Sequence, residues 1–183
     1  MRIIAGSLRG RTLAAPPGLA TRPTAQRMRQ ALFDMLMHAP WAEGRIAGAQ
    51  ALDVFAGTGA LGLEALSRGA GFCTFIERDR TALGVLRANV AACRMEGVSR
   101  VVAGDALRPG RPVGVACDLV FLDPPYGQDL VPCAVAALAE AGWLGEGALL
   151  VAETGRDEDL VLAGEKLVER AHGAALVTVW RID

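Results

Sequence analysis

The sequence predicts an α/β domain built on a doubly wound, mostly parallel sheet, preceded by a short basic extension. Three observations predict it. From Ala51 onward, short β-branched or aromatic runs alternate with helical patterns. The first of these strands runs straight into a glycine-rich turn, Asp53-Val54-Phe55-Ala56-Gly57-Thr58-Gly59. A later strand, Asp118 to Leu122, is apolar enough to be buried on both faces and stops at Asp123-Pro124-Pro125-Tyr126. Neither proline can donate a ladder hydrogen bond, so the strand ends there.

In chain order, Arg2 to Leu13 reads as a short β-hairpin, with Ile3-Ile4 on one arm and Gly10-Arg11-Thr12-Leu13 on the other. Pro16, Pro17 and Gly18 make the stretch to Pro23 turn and linker. Thr24 reads as an N-cap for a helix over Ala25 to Met37. Met28, Ala31, Leu32, Met35 and Leu36 form its apolar stripe, with Arg27 and Arg29 off it, and Pro40 ends it. Strands are expected near 51–55, 72–77, 100–104, 118–122, 147–153, 166–171 and 175–181, and helices near 60–69, 80–96 and 128–141. Only a Gly173 turn separates the last two strands, so they should pair as an antiparallel hairpin. The expected division is a basic hairpin-and-helix extension over 1–40 and the sheet domain over 41–183.

Composition excludes several classes. With 52% hydrophobic and 21% charged residues the chain is typical of a soluble globular protein. Its apolar runs are far short of a bilayer span, and the first residues do not resemble a signal peptide, so a cytoplasmic protein is expected. Cys73, Cys93, Cys117 and Cys133 are widely spaced without histidine neighbours, which argues for reduced thiols and against a metal site. His38 and His172 stand in no recognisable catalytic context. Net charge is −1, yet every charged residue before Asp34 is an arginine: Arg2, Arg9, Arg11, Arg22, Arg27 and Arg29. A basic arm on an acidic body points to a polyanionic partner.

The site chemistry follows from the strand ends. Gly57, Gly59 and Gly62 have the G-x-G-x-x-G spacing of a dinucleotide turn, but Asp53 would repel a pyrophosphate there. An acid suits a cationic ligand, such as the sulfonium of S-adenosylmethionine. Glu77 ends the second strand, where it can grip ribose hydroxyls. Asp105 follows the third and can accept from an adenine amine. Asp123 and the Pro124 carbonyl can accept both hydrogens of a planar exocyclic amine, and the Tyr126 ring can stack on the base that carries it.

These residues resemble a class I S-adenosylmethionine-dependent methyltransferase of the amino-methylating group. Arg2-Ile3-Ile4-Ala5-Gly6, Arg9-Gly10-Arg11, Arg22-Pro23-Thr24 and Arg29-Gln30-Ala31-Leu32-Phe33, with Gly59 to Ala70, narrow the likeness to RsmD-type bacterial small-subunit rRNA guanine-N2 methyltransferases. One departure is visible, since that family carries an acid where Gln30 stands. The resemblance implies a Rossmann-like class I fold of seven strands ending in an antiparallel hairpin. It implies that Asp53, Phe55, Ala56, Gly57 and Gly59 hold the methionine part of the cofactor, Glu77 with Arg78 the ribose, and Asp105 with Ala106 the adenine, while Thr24 closes over it. Asp123, Pro124, Pro125 and Tyr126 would hold the target base, and Arg2, Arg9, Arg11, Arg22 and Arg27 the RNA. The expected partner is ribosomal RNA or a small-subunit assembly particle, with no metal and no membrane, and the protein is expected as a monomer. Rival readings are a DNA adenine-N6 methyltransferase, a glutamine-modifying protein methyltransferase (disfavoured by Asp123 where those carry Asn) and a catalytically silent RNA-binding module.

Overall fold

A computed structural model describes residues 1–16, 23–125, 127 and 129–182, without the side chains of residues 23–25. Arg22 and Tyr126 therefore lie outside the described residues, as does the side chain of Thr24. Helix α1 (Pro23–His38) leads to β1 (Gln50–Val54), α2 (Ala60–Ser67), β2 (Phe72–Glu77), α3 (Arg80–Cys93), β3 (Ser99–Ala103), β4 (Cys117–Leu122), α4 (Leu130–Ala141), β5 (Leu144–Gly155), β6 (Glu165–His172) and β7 (Ala175–Arg181). They form one seven-stranded sheet of order β3-β2-β1-β4-β5-β7-β6. Strands β1 to β5 run parallel, and β7 enters antiparallel between β5 and β6. The strand order reverses between β1 and β4. That is the topological switch point at which open α/β sheets leave a crevice.

The strand period sorts residues between two cores. Phe75, Leu119, Phe121, Leu149 and Val151 face α1, α2 and α3, where they meet Leu32, Phe33, Leu36, Leu63 and Leu86. Leu52, Val54, Val120, Leu122 and Leu150 face α4 through Val131, Ala134, Val135 and Leu138. Both faces are covered, so the central strands read as continuous apolar runs.

Several expectations change in detail. The amino-terminal hairpin is a loop closed by a single antiparallel bridge between Arg2 and Thr12, because Gly6 and Gly10 both take positive φ and turn the chain too soon for a ladder. The buried stripe of α1 is Arg29, Leu32, Phe33 and Leu36. Ala31 points outward, and Arg29, placed off the stripe by its charge, is buried. Its partner Glu64 lies on another helix, which the periodicity of α1 cannot reveal. Helix α3 ends at Cys93 with Arg94 in the left-handed conformation, three residues before its expected end. Helix α4 starts at Leu130, and β5 begins earlier than expected, with a bulge against β4 between Cys117 and Leu119. Cys73, Cys93 and Cys117 are buried free thiols, while Cys133 is exposed. No described helix is long and apolar enough to cross a membrane.

Candidate active site

A cavity of about 720 Å³ opens over the carboxyl ends of β1, β2, β4 and β5. Its floor is set by register. Asp53 pairs with Phe121 and Val54 with Leu122 across β1 and β4, so Phe55 and Asp123 leave neighbouring strands at the same level. Asp53, Phe55, Ala56, Gly57, Glu77, Arg78, Ala106, Asp123, Pro124 and Pro125 all line it.

The glycine turn is held from below by acids. Asp53 is 2% exposed, and its Oδ2 accepts the Gly62 N–H at 2.8 Å, tying the strand end to the first turn of α2. Glu77 Oε2 accepts the Gly57 N–H at 2.8 Å, while Oε1 accepts those of Arg78 and Asp79, also at 2.8 Å. A Cβ on Gly62 would stand 2.4 Å from the Phe75 ring, and one on Gly59 2.4 Å from Leu86, so both glycines are required for close packing of helix on sheet. Phe55 takes φ 61, a conformation uncommon for a bulky side chain and characteristic of constrained functional turns.

Electrostatics follow from crowding acids in a pocket. Burial pushes the Asp53 carboxyl up to about 8, with smaller contributions from Asp123 and Glu77, against the Gly62 hydrogen bond that favours the charged form. Asp123 is pushed up to about 7, first by loss of bulk solvation and then by Glu153. Asp123 has accessible surface, but it lines the cavity, so water entering there moderates the effect while protein surrounds the rest of the carboxylate.

Asp105 departs from expectation. Gly104 and Ala106 line the cavity, but Asp105 does not; its Oδ1 accepts the Leu107 N–H at 3.0 Å and Oδ2 lies 3.9 Å from Arg78. An acid after a strand here stabilises its own turn, as Asp commonly does. Arg2, Arg9, Arg11 and Arg27 are exposed, and among the described residues none forms an ion pair.

Four polar residues at or behind the site were not singled out by the sequence. Glu153 lines the cavity from β5. Glu158 Oε1 accepts the N–H of Gly127 at 2.7 Å and that of Gly155 at 3.1 Å, tying the loop after β4 to the loop after β5. Asn89 on α3 is buried, donates to the carbonyls of Thr58 and Ala14, and accepts the Ala14 N–H at 2.8 Å. Glu64, fully buried on α2, accepts the N–H groups of Ile4 and Ala5 at 2.8 and 3.1 Å and pairs with Arg68 Nε at 2.8 Å. Apart from the Glu64–Arg68 pair along α2, the partners lie far apart in the chain or on loops without periodicity; the local signal is only a polar residue in an apolar setting.

The solved Escherichia coli chain yhhF, provisionally named a methyltransferase, matches this structure with a TM-score of 0.85 at 36% identity, covering 100% of this chain and 98% of its own. The sheet, its antiparallel insertion and the cavity at its switch point thus define a class I methyltransferase fold. The chain belongs to the family described as Conserved hypothetical protein 95, whose model matches residues 1–181. Among its relatives is the Ribosomal RNA small subunit methyltransferase D of Escherichia coli K12, 41% identical over 154 residues, 84% of this chain and 74% of the relative. The protein of the same name from Haemophilus influenzae is 38% identical over 166 residues, 88% of this chain and 82% of the relative. The RsmD-type resemblance read from the sequence is thereby shown.

Proposed function

We propose that this protein uses S-adenosylmethionine to methylate the exocyclic N2 amine of a guanine in small-subunit ribosomal RNA. One observation carries the reading: Asp53, beneath the glycine turn, and Asp123, at the end of the adjacent strand, line the same cavity. The names of the relatives support ribosomal RNA as the substrate.

The donor set fits the cofactor. The cavity lies within the range of roughly 300–1,000 Å³ usual for ligand sites. Asp53 is buried without a countercharge of its own, so a cationic ligand relieves its cost of ionisation. Gly57 leaves the wall free of a side chain, while Gly59, outside the cavity lining, lets the turn pack on Leu86 behind it. Glu77 holds the turn through three backbone N–H groups and keeps one acceptor position for the ribose. Gly104 and Ala106 give the flat, uncharged wall against which an adenine packs, with Asp105 contributing through its turn.

When bound, the cofactor supplies an electrophilic methyl on a positive sulfur. The protein then has to bring a weakly nucleophilic amine in line with it. The Asp123 carboxylate and the Pro124 carbonyl accept the two N2 hydrogens and turn the nitrogen lone pair toward the methyl. Pro125 stiffens this corner, and Tyr126 stacks on the base drawn out of the RNA. Positioning of this kind is worth up to roughly 7–11 kcal/mol. A carboxyl near pH 7 in affinity also suits it to take the proton that N2 loses.

Asp123→Ala tests this. Transfer of tritiated methyl to small-subunit particles or their RNA should fall by roughly 10²-fold or more, as expected for loss of a positioned base, while calorimetry shows cofactor affinity within a few-fold of wild type. Equal loss of both removes Asp123 from the chemistry. Mapping N2-methylguanine in the product RNA tests the substrate.

A further inference from the structure

We infer that Glu153 is a specificity-determining residue that reads the N1–H of the target guanine beside the amine held by Asp123. The inference rests on the methyltransferase reading above and deepens it by naming what selects the base.

The geometry starts from register. Phe121 pairs with Val151 and Leu122 with Ala152 across β4 and β5, so Asp123 and Glu153 occupy the next level of adjacent strands. Side chains alternate along a strand, so each shares a face with the residue two before it. Phe121 and Val151 belong to the same core face, which puts Asp123 and Glu153 on one side of the sheet. Both line the cavity, together with Val151 and Val177. Two carboxylates therefore stand side by side above Val151 and Val177, one level out from Asp53 in the same cavity, and close enough that Glu153 contributes to the raised affinity of Asp123 for its proton.

The Watson–Crick edges of the bases decide what such a pair can hold. Guanine presents the N2 amine next to the N1–H, two donors in a row, and two adjacent acceptors match it. Adenine and cytosine each present their amine beside a ring nitrogen that only accepts. Glu153 would then face a lone pair, and both acceptors would lose the hydrogen bonds that water made to them before the base entered. Sites built around a hydrogen bond reject ligands lacking it by orders of magnitude, far more than shape alone achieves. A carboxylate has about four lone-pair directions, so Glu153 can keep contacts within the protein and still accept from a base. A single acceptor at Asp123 would serve any aminated base; the second distinguishes guanine from adenine.

The test uses 2-aminopurine, which keeps the N2 amine but has an acceptor at N1. The methylated guanine is first mapped with wild-type protein and particles, and RNA is then synthesised with guanine or 2-aminopurine there. Wild type should prefer guanine by about 100-fold or more in kcat/KM. In Glu153→Gln, whose amide can either accept or donate, the preference should collapse to within about ten-fold, with cofactor affinity unchanged in calorimetry. Glu153→Asp, which keeps the charge, should retain most of the preference. Because both substrates are compared on one preparation, partial misfolding cancels from the ratio. An unchanged ratio in Glu153→Gln, or no preference in wild type, overturns the role of Glu153 and leaves the methyltransferase reading standing. Absence of any N2-methylguanine from wild type overturns both.

Discussion

Asp53 is the residue at which folding and binding pull in opposite directions. Its folded affinity for a proton is raised to about 8 from 3.8, so the native state binds more protons than the unfolded chain between those values. The stability tied to Asp53 is fully present below about pH 4 and is lost as pH rises through 8. The free protein should therefore melt at a lower temperature at pH 8.5 than at pH 6, and Asp53→Asn, whose amide oxygen can still accept from Gly62, should raise the melting temperature and flatten that dependence. A cation in the cavity favours the ionised acids, so S-adenosylmethionine should bind more tightly as pH rises from 6 to 8.5, releasing protons, while its neutral thioether product shows a weaker trend. Calorimetry in buffers of different ionisation enthalpy reads both; identical pH trends for the two ligands would mean that Asp53 does not answer the positive charge. Glu158 acts from outside the cavity. Glu158→Ala should slow methyl transfer and speed amide exchange at Gly127 without weakening the cofactor, and Glu158→Gln, which keeps an acceptor, should restore most of the rate. Equal rates in all three proteins would confine Glu158 to a surface role. Glu77 and Asp123 were legible in the sequence because each ends an apolar run, and Asp53 because it interrupts one just ahead of the glycine turn, where strand period and breaker chemistry are local signals. Glu153 and Glu158 were not, since their importance arises only when β5 is laid against β4.

At the scale of elements, α1 is the part of the fold that periodicity described least well. It packs through Phe33, which meets Phe121 on β4 with ring centroids 5.5 Å apart, while the Arg68 guanidinium lies 5.0 Å over the Phe33 ring. Arg29 turns inward beside it, donating to the Arg2 carbonyl at 2.8 Å and lying 4.0 Å from Glu64. The same Glu64 holds Ile4 and Ala5, and Ser67 holds Leu8 through its hydroxyl at 3.0 Å. One buried acid thus fastens the amino-terminal loop, α1 and α2 together. A buried arginine looks like surface charge until its partner, 35 residues on by number, is placed. Glu64→Ala would leave two buried guanidinium groups short of a partner, so it should cost about 3–5 kcal/mol. Denaturant titration measures that loss, and hydrogen exchange should show residues 4–8 deprotected before the central strands. A loss under about 1 kcal/mol, the level of an exposed pair, would mean that apolar packing of Phe33 alone holds the arm.

For the whole molecule, the succession of strands and helices and the antiparallel end were readable because they are written in alternation of period, which is redundant over many residues, whereas the strand order followed only from the family resemblance. What was not readable is how the charge is spread in space. Of the six arginines that precede Asp34, Arg29 serves the interior, and Arg2, Arg9, Arg11 and Arg27 face outward on a chain of net charge −1. The loop carrying Arg9 and Arg11 is fixed to α2 by Glu64 and Ser67, so these charges are held in place before any partner arrives, which lowers the entropy lost on binding. If RNA meets the protein here, each phosphate contact releases counterions and steepens the fall of affinity with salt by about 0.7 in the logarithmic slope for single strands. Replacing Arg9 and Arg11 together by glutamine should weaken RNA binding and reduce that slope by about 1.4, with cofactor affinity and melting temperature unchanged because neither side chain is part of the docking contacts. Filter binding between 50 and 300 mM salt, a range chosen to span the screening regime, separates the alternatives. A parallel, merely shifted line would place the arm outside the phosphate interface and move the search for it to Arg27 and the rim of the cavity.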